Sequence, residues 1–130
     1  MMKRAFRDEW SAALRSGEYP QSRGLLQVLR KEEMVGGQIR PVGFCCIGVR
    51  CDLDVKAGLM WSRPFGDGRY VRFFTSKDAD TGMAAEVWAT VLERWGLTAQ
   101  EQYELISMND GRKHNFQMIA DYLDQLQVED

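Results

Sequence analysis

Apolar residues near the N-terminus repeat with a helical period: Phe6, Trp10 and Leu14 fall at i, i+4 and i+8, with Ala5 and Ala13 beside them. One apolar stripe of this kind predicts an amphipathic helix. Gly17 stands where a left-handed glycine would end it. A polar, turn-rich loop follows, Glu18-Tyr19-Pro20-Gln21-Ser22-Arg23-Gly24. Leu25 to Leu29 then reads as a strand able to pair with residues 38–43 across the Gly36-Gly37 turn, with Pro41 directing the second strand to a sheet edge.

Residues 44–56 carry two periods at once. Cys45, Ile47, Val49, Cys51, Leu53 and Val55 alternate with small or polar residues, as in a strand. Phe44, Ile47, Cys51 and Val55 equally line one helical face; Asp52 and Lys56 form an i,i+4 pair, and Gly58 supplies a stop. The helix is the preferred reading. Leu59–Ser62 and Tyr70–Phe74 read as strands around the turn from Pro64 to Gly68. Met83, Val87, Trp88, Val91, Leu92 and Trp95 predict a helix over 82–95, closed by Gly96. Thr98 and Glu101 form a capping box for a helix running to about Met108. After a turn at Asn109-Asp110-Gly111, Asn115 caps a last helix whose buried stripe is Phe116, Ile119, Ala120, Leu123 and Leu126. The expected fold class is α+β: four or five helices packed on one small, mostly antiparallel β-sheet, in a single domain spanning residues 1–130.

Composition changes little in that picture, and charge changes more. A chain of 130 residues with 45% hydrophobic positions can build one core. Its apolar runs fall short of a membrane helix, and Asp8 and Glu9 interrupt any signal-like segment. The three cysteines, Cys45, Cys46 and Cys51, fit reduced thiols better than a disulfide framework. A cytoplasmic protein is expected, with no membrane partner. Residues 1–30 hold six Lys/Arg against three Asp/Glu, residues 31–80 eight against seven, and residues 81–130 three against nine. The acidic last third argues against a nucleic-acid surface, and an anionic ligand would meet the N-terminal half.

Three segments together resemble a family. They are Trp10-Ser11-Ala12-Ala13-Leu14-Arg15-Ser16-Gly17-Glu18-Tyr19-Pro20-Gln21 with Gly24-Leu25-Leu26, then Phe44–Leu53, then Leu105–Gly111 with Phe116–Asp121; Trp95-Gly96-Leu97 also fits. The pattern resembles a family of small bacteriophage and prophage proteins. The resemblance implies a phage-encoded protein acting in the host cell, and it carries no activity. Arg50 stands where that family tends to be apolar, and Arg112-Lys113-His114-Asn115 where a small residue usually precedes the phenylalanine.

Candidate chemistry is sparse. Zinc needs about four N/S ligands, and three cysteines with a distant His114 do not make a trusted set, so no metal site is expected. A free cysteine is more often a small core residue than a nucleophile. Neither a P-loop nor a Rossmann glycine pattern is present, and no cofactor is expected. The loop holding Arg15, Tyr19, Gln21 and Arg23 is the foremost ligand-binding candidate, because two guanidiniums can hold phosphate or carboxylate through paired hydrogen bonds. Trp61, beside a Gly/Pro loop, and Asn109 with Asp110 complete the candidate set.

These residues lead to a non-catalytic binding protein, a host-defence antagonist that sequesters a small anionic, nucleotide-like ligand or a host protein. A homo-oligomer is compatible with this. One alternative is a small hydrolase using Asp110, His114 or a cysteine. A second is a DNA-binding regulator acting through the C-terminal helix pair, but the second of those helices carries Asp121 and Asp124 and no Lys or Arg.

Overall fold

Helix α1 spans Arg4–Arg15 and buries Trp10, Ser11 and Leu14. Gly17 follows it at φ +79°, the left-handed position its sequence predicted. The computed structural model describes every residue from Met1 to Asp130. Just before α1, strand β1 (Met2–Lys3) pairs in parallel with a strand near the far end of the chain, Val128–Glu129. The two termini are thereby joined.

The hydrogen-bonded centre is a four-stranded sheet. Its strands are β2 (Gln27–Val28), β5 (Gly43–Phe44), β6 (Trp61–Phe65) and β7 (Tyr70–Phe74), in the order β5-β2-β7-β6, each neighbouring pair antiparallel. Pro64 lies in edge strand β6, where a missing N–H is tolerated. A separate hairpin joins β3 (Glu32–Glu33) to β4 (Ile39–Arg40). The expected pairing of 25–29 with 38–43 is therefore corrected. Gly36 and Gly37 do turn the chain, but between β3 and β4, and β2 pairs with residues 43 and 44 instead.

Residues 46–56 are helix α2, as the helical period suggested. Cys46, Ile47, Gly48, Val49, Arg50 and Cys51 are all buried. Only this N-terminal part is enclosed on every side; towards the other end Asp52 and Lys56 pair at 3.3 Å on the exposed face, as the i,i+4 spacing predicted. Gly48 lets it lie against β2: a Cβ there would stand 1.8 Å from the Leu26 carbonyl oxygen.

The remaining helices are α3 (Ala89–Trp95), α4 (Ala99–Ile106) and α5 (Phe116–Gln125). Gly96 ends α3 in the left-handed conformation, Thr98 and Glu101 form the capping box of α4, and Asn115 caps α5 by accepting from the Met118 N–H. Two boundaries differ from expectation. The predicted helix over 82–95 begins only at Ala89, because Met83 exchanges both backbone hydrogen bonds with Phe73 and the Ala84 carbonyl accepts from Leu26. Asn109-Asp110-Gly111, predicted as a turn, continues α4 as a π-helical turn over Ser107–Gly111.

The architecture is α+β, with five helices and eight strands. One core cluster runs from Met2 to Leu123 and takes in Trp10, Trp95, Phe73 and all three cysteines. No helix is long and apolar enough to cross a membrane.

Candidate functional site

The loop after α1 is held against the π-turn by one buried amide. Asn109 is fully buried, and its side chain is satisfied on every side. Its Oδ1 accepts from Gln21 Nε2 at 2.9 Å and from the Cys46 N–H at 3.2 Å. Its Nδ2 donates to the Ser22 carbonyl and to Asp110 Oδ1, both at 2.8 Å. Gln21 Nε2 also donates to the His114 carbonyl at 2.8 Å. Asp110 Oδ1 accepts in turn from the Gly24 N–H at 3.1 Å. This network fixes the backbone from Gln21 to Gly24, with Arg23 at its outer edge.

An open cleft of about 320 Å³ lies there, between Arg23-Gly24 and the β3–β4 hairpin, and is lined by Arg23, Gly24, Gln38, Ile39, Arg40 and Asp110. Gly24 is at φ +81°, and a Cβ on it would come 2.9 Å from Arg40 Nη2. Only a glycine lets the guanidinium pass so closely. Arg40 is steadied by Glu32 at 3.4 Å, and Glu32 also faces Arg69 at 3.7 Å. Arg23 is exposed and forms no ion pair or side-chain hydrogen bond. The cleft thus combines an uncommitted guanidinium, a second one already paired, and apolar Met34, Val35 and Ile39 from the hairpin. Such a surface suits a planar or apolar body carrying an anionic group.

Of the seven residues singled out in the sequence, the structure brings Gln21, Arg23, Asn109 and Asp110 together. Arg15, Tyr19 and Trp61 do not line the cleft. Arg15 Nη2 pairs with Asp121 at 2.8 Å and Asp124 at 2.6 Å, holding α1 to α5. Tyr19 donates to Asp52 Oδ2 at 2.6 Å, accepts from Lys56 Nζ at 2.9 Å and sets its ring edge-on to Phe44. Trp61 lies exposed on edge strand β6. Gly24, Gln38 and Arg40 were not anticipated. Their signal was the Gly36-Gly37 turn, which sends the hairpin back towards Arg23.

The thiols sit elsewhere. Cys45 Sγ caps α2 by accepting from the Gly48 N–H at 3.4 Å, and Cys46 Sγ donates to the Leu105 carbonyl at 3.5 Å. Burial pushes the Cys45 pKa up to about 12 and those of Cys46 and Cys51 well above the ordinary range. At neutral pH they lack the thiolate a nucleophile needs. His114 is half-buried, its Nδ1 has no partner, and no hydrogen bond links it to Asp110. No three His, Cys, Asp or Glu side chains meet in a metal-holding group. Before α5, Arg112 pairs with Glu104 at 2.7 Å, which leaves the exposed Lys113 as the one unpaired cation there.

The model of one protein family, a domain of unknown function (DUF8296), matches residues 2–127. No curated protein and no solved structure matches the chain.

Proposed function

The chain belongs to the DUF8296 family. We propose that it is a phage or prophage binding protein without catalysis of its own. It takes an anionic, nucleotide-like group in the Arg23–Arg40 cleft and sequesters it in the host cytoplasm. The observation that carries this reading is the Arg23 guanidinium, unpaired at the rim of a cleft whose backbone is locked by Asn109. A loop that is already ordered loses little entropy on binding. Charge-assisted bonds from Arg23 would hold the phosphate, while Val35 and Ile39 face the apolar part of the ligand.

Isothermal titration against a panel of mononucleotides, dinucleotides and cyclic nucleotides tests it. At least one should bind, and Arg23→Ala should weaken that binding about tenfold or more, the loss of one charge-assisted contact. Silence across the panel, or unchanged affinity in Arg23→Ala, overturns the reading.

A further inference from the structure

A second concave surface lies between α3 and α4. Its cavity, about 490 Å³, is lined mainly by apolar side chains, with Val87, Leu92, Ala99 and Ile106 between the half-exposed Trp88 and the exposed Tyr103. It is rigidly built: Gln102, itself buried, accepts from the Val87 N–H at 2.9 Å and donates to the Val87 carbonyl at 3.2 Å. Trp88 has no local reason to be there. It occupies the N-cap of α3 and makes no side-chain capping bond, whereas Cys45, Thr98 and Asn115 cap their helices. A small polar residue would serve the helix better. The rim is acidic: Glu86 lines the groove without a cationic partner, while Glu104 pairs with Arg112 at 2.7 Å and Arg94 with Asp54 at 2.8 Å.

The same chain carries a surface of opposite character. Val35, at the tip of the β3–β4 hairpin, is fully exposed, and Ile39 and Val42 are largely so. Arg23 at the cleft and Arg30 and Lys31 just before β3 are exposed without an acidic partner, while Glu32 pairs with Arg40 and Arg69 and Glu33 stands exposed on β3. Exposed aliphatic residues at a hairpin tip gain by leaving water, and the cavity with an aromatic on either side has room for a few of them.

We propose that the hairpin tip of one copy docks in the α3–α4 groove of a second copy, head to tail. Val35 and Ile39 enter the groove beside Trp88 and Tyr103, and the basic residues near the hairpin face Glu86. Charge orients the encounter, and apolar burial holds it. A contact joining two different patches leaves a free tip and a free groove at its ends, so it can extend into a ring or a filament. A hairpin tip buries little area, which makes the association weak and dependent on concentration. Val35 and Ile39 also line the ligand cleft, so a docked tip and a bound anion would compete for them, and the test is run without ligand.

Sedimentation velocity of the full chain, diluted from about millimolar protein, where a weak contact is populated, tests it. The wild-type mass should rise with concentration. Val35→Asp, which sets a carboxylate against the acidic groove, should be monomeric throughout. Trp88→Asp should be monomeric too, and its new side chain can cap α3, so the fold is retained; Tyr103→Lys, at a highly exposed position, is the second groove variant. The decisive result is the mixture: Val35→Asp keeps a groove and Trp88→Asp keeps a tip, so together they should form a one-to-one complex and nothing larger. A monomeric wild type at every concentration overturns the proposal and leaves the groove to a foreign chain. So does wild-type association that both variants leave intact, or a mixture that stays monomeric.

Discussion

Gln21 Nε2 donates to Asn109 Oδ1 at 2.9 Å across 88 positions of sequence. That bond joins the loop after α1 to the π-turn after α4, and Asn109 passes it on to Cys46 at the start of α2. Three parts of the chain therefore depend on one amide. Asn109→Ala leaves the Cys46 N–H and the Ser22 carbonyl without this partner and Gln21 Nε2 with the His114 carbonyl alone, and each group left unsatisfied costs about 1–3 kcal/mol unless water reaches it. Urea unfolding should show a loss of about 3 kcal/mol or more. Asn109→Asp should also be destabilised, because it loses both amide donors and sets a second carboxylate beside Asp110.

Arg50 and Asp54 form a second buried relationship. Both side chains are almost fully buried and pair at 3.1 Å, with Arg50 also reaching Glu9 at 2.7 Å and Asp54 receiving Arg94 and the Trp95 indole. Asp54→Ala leaves the buried Arg50 with Glu9 and the Phe6 carbonyl alone and strips the buried Trp95 indole N–H of its acceptor, and should cost about 3 kcal/mol. Arg50→Met, which removes the charge and keeps the packing over Phe6, should cost less than that. In the double variant the two losses should fall well short of additive, as a denaturation double-mutant cycle would show.

Legibility in the sequence followed how local each decision was. Gly17, Gly96, the Thr98–Glu101 box and Asn115 act within one turn of chain, and each stands where its residue type predicted. Residues 82–88 were misread because Met83 and Val87 are spaced like a helix, while the pairing of Met83 with Phe73 is a long-range bond that no local pattern records. The candidate site was legible in part for the same reason. Arg23, Asn109 and Asp110 are residue types that invite suspicion. Arg40 enters the cleft only because a hairpin folds back, and Arg15 leaves it only because α5 packs alongside α1. Arg50 reads as a departure from the family pattern, and the structure shows what occupies it: an ion pair that tertiary contacts complete.

Gly48→Ala tests the close approach of α2 to the backbone just before β2. The added methyl would meet the backbone carbonyl of Leu26, which no rotamer change can move. Alanine normally stabilises a helix interior by roughly 0.5–1 kcal/mol relative to glycine. Here the sign should reverse, with a loss above about 3 kcal/mol or a failure to fold. Exposed Gly111, whose Cβ would meet only Ser107 Oγ at an ordinary 3.9 Å, provides the control: Gly111→Ala should change stability by less than about 1 kcal/mol.

The three buried thiols predict how stability responds to alkali. Below about pH 8 each is protonated in both the folded and the unfolded chain, so none contributes a pH dependence there. Above that value the unfolded thiols ionise, while burial keeps the folded ones protonated, with Cys45 titrating only near pH 12. The unfolded state then binds fewer protons than the folded one, and stability must fall as pH rises. Each thiol adds a slope of up to about 1.4 kcal/mol per pH unit, so guanidinium unfolding midpoints should drop steeply between pH 9 and pH 11. Cys51→Ala should start from lower stability because it opens a cavity, yet decline less steeply over the same interval. Ellman's reagent at pH 8 should find almost no reactive thiol in the native chain and three once it is unfolded. A thiol that reacts rapidly in the native state would mean that the N-terminal turn of α2 opens to solvent.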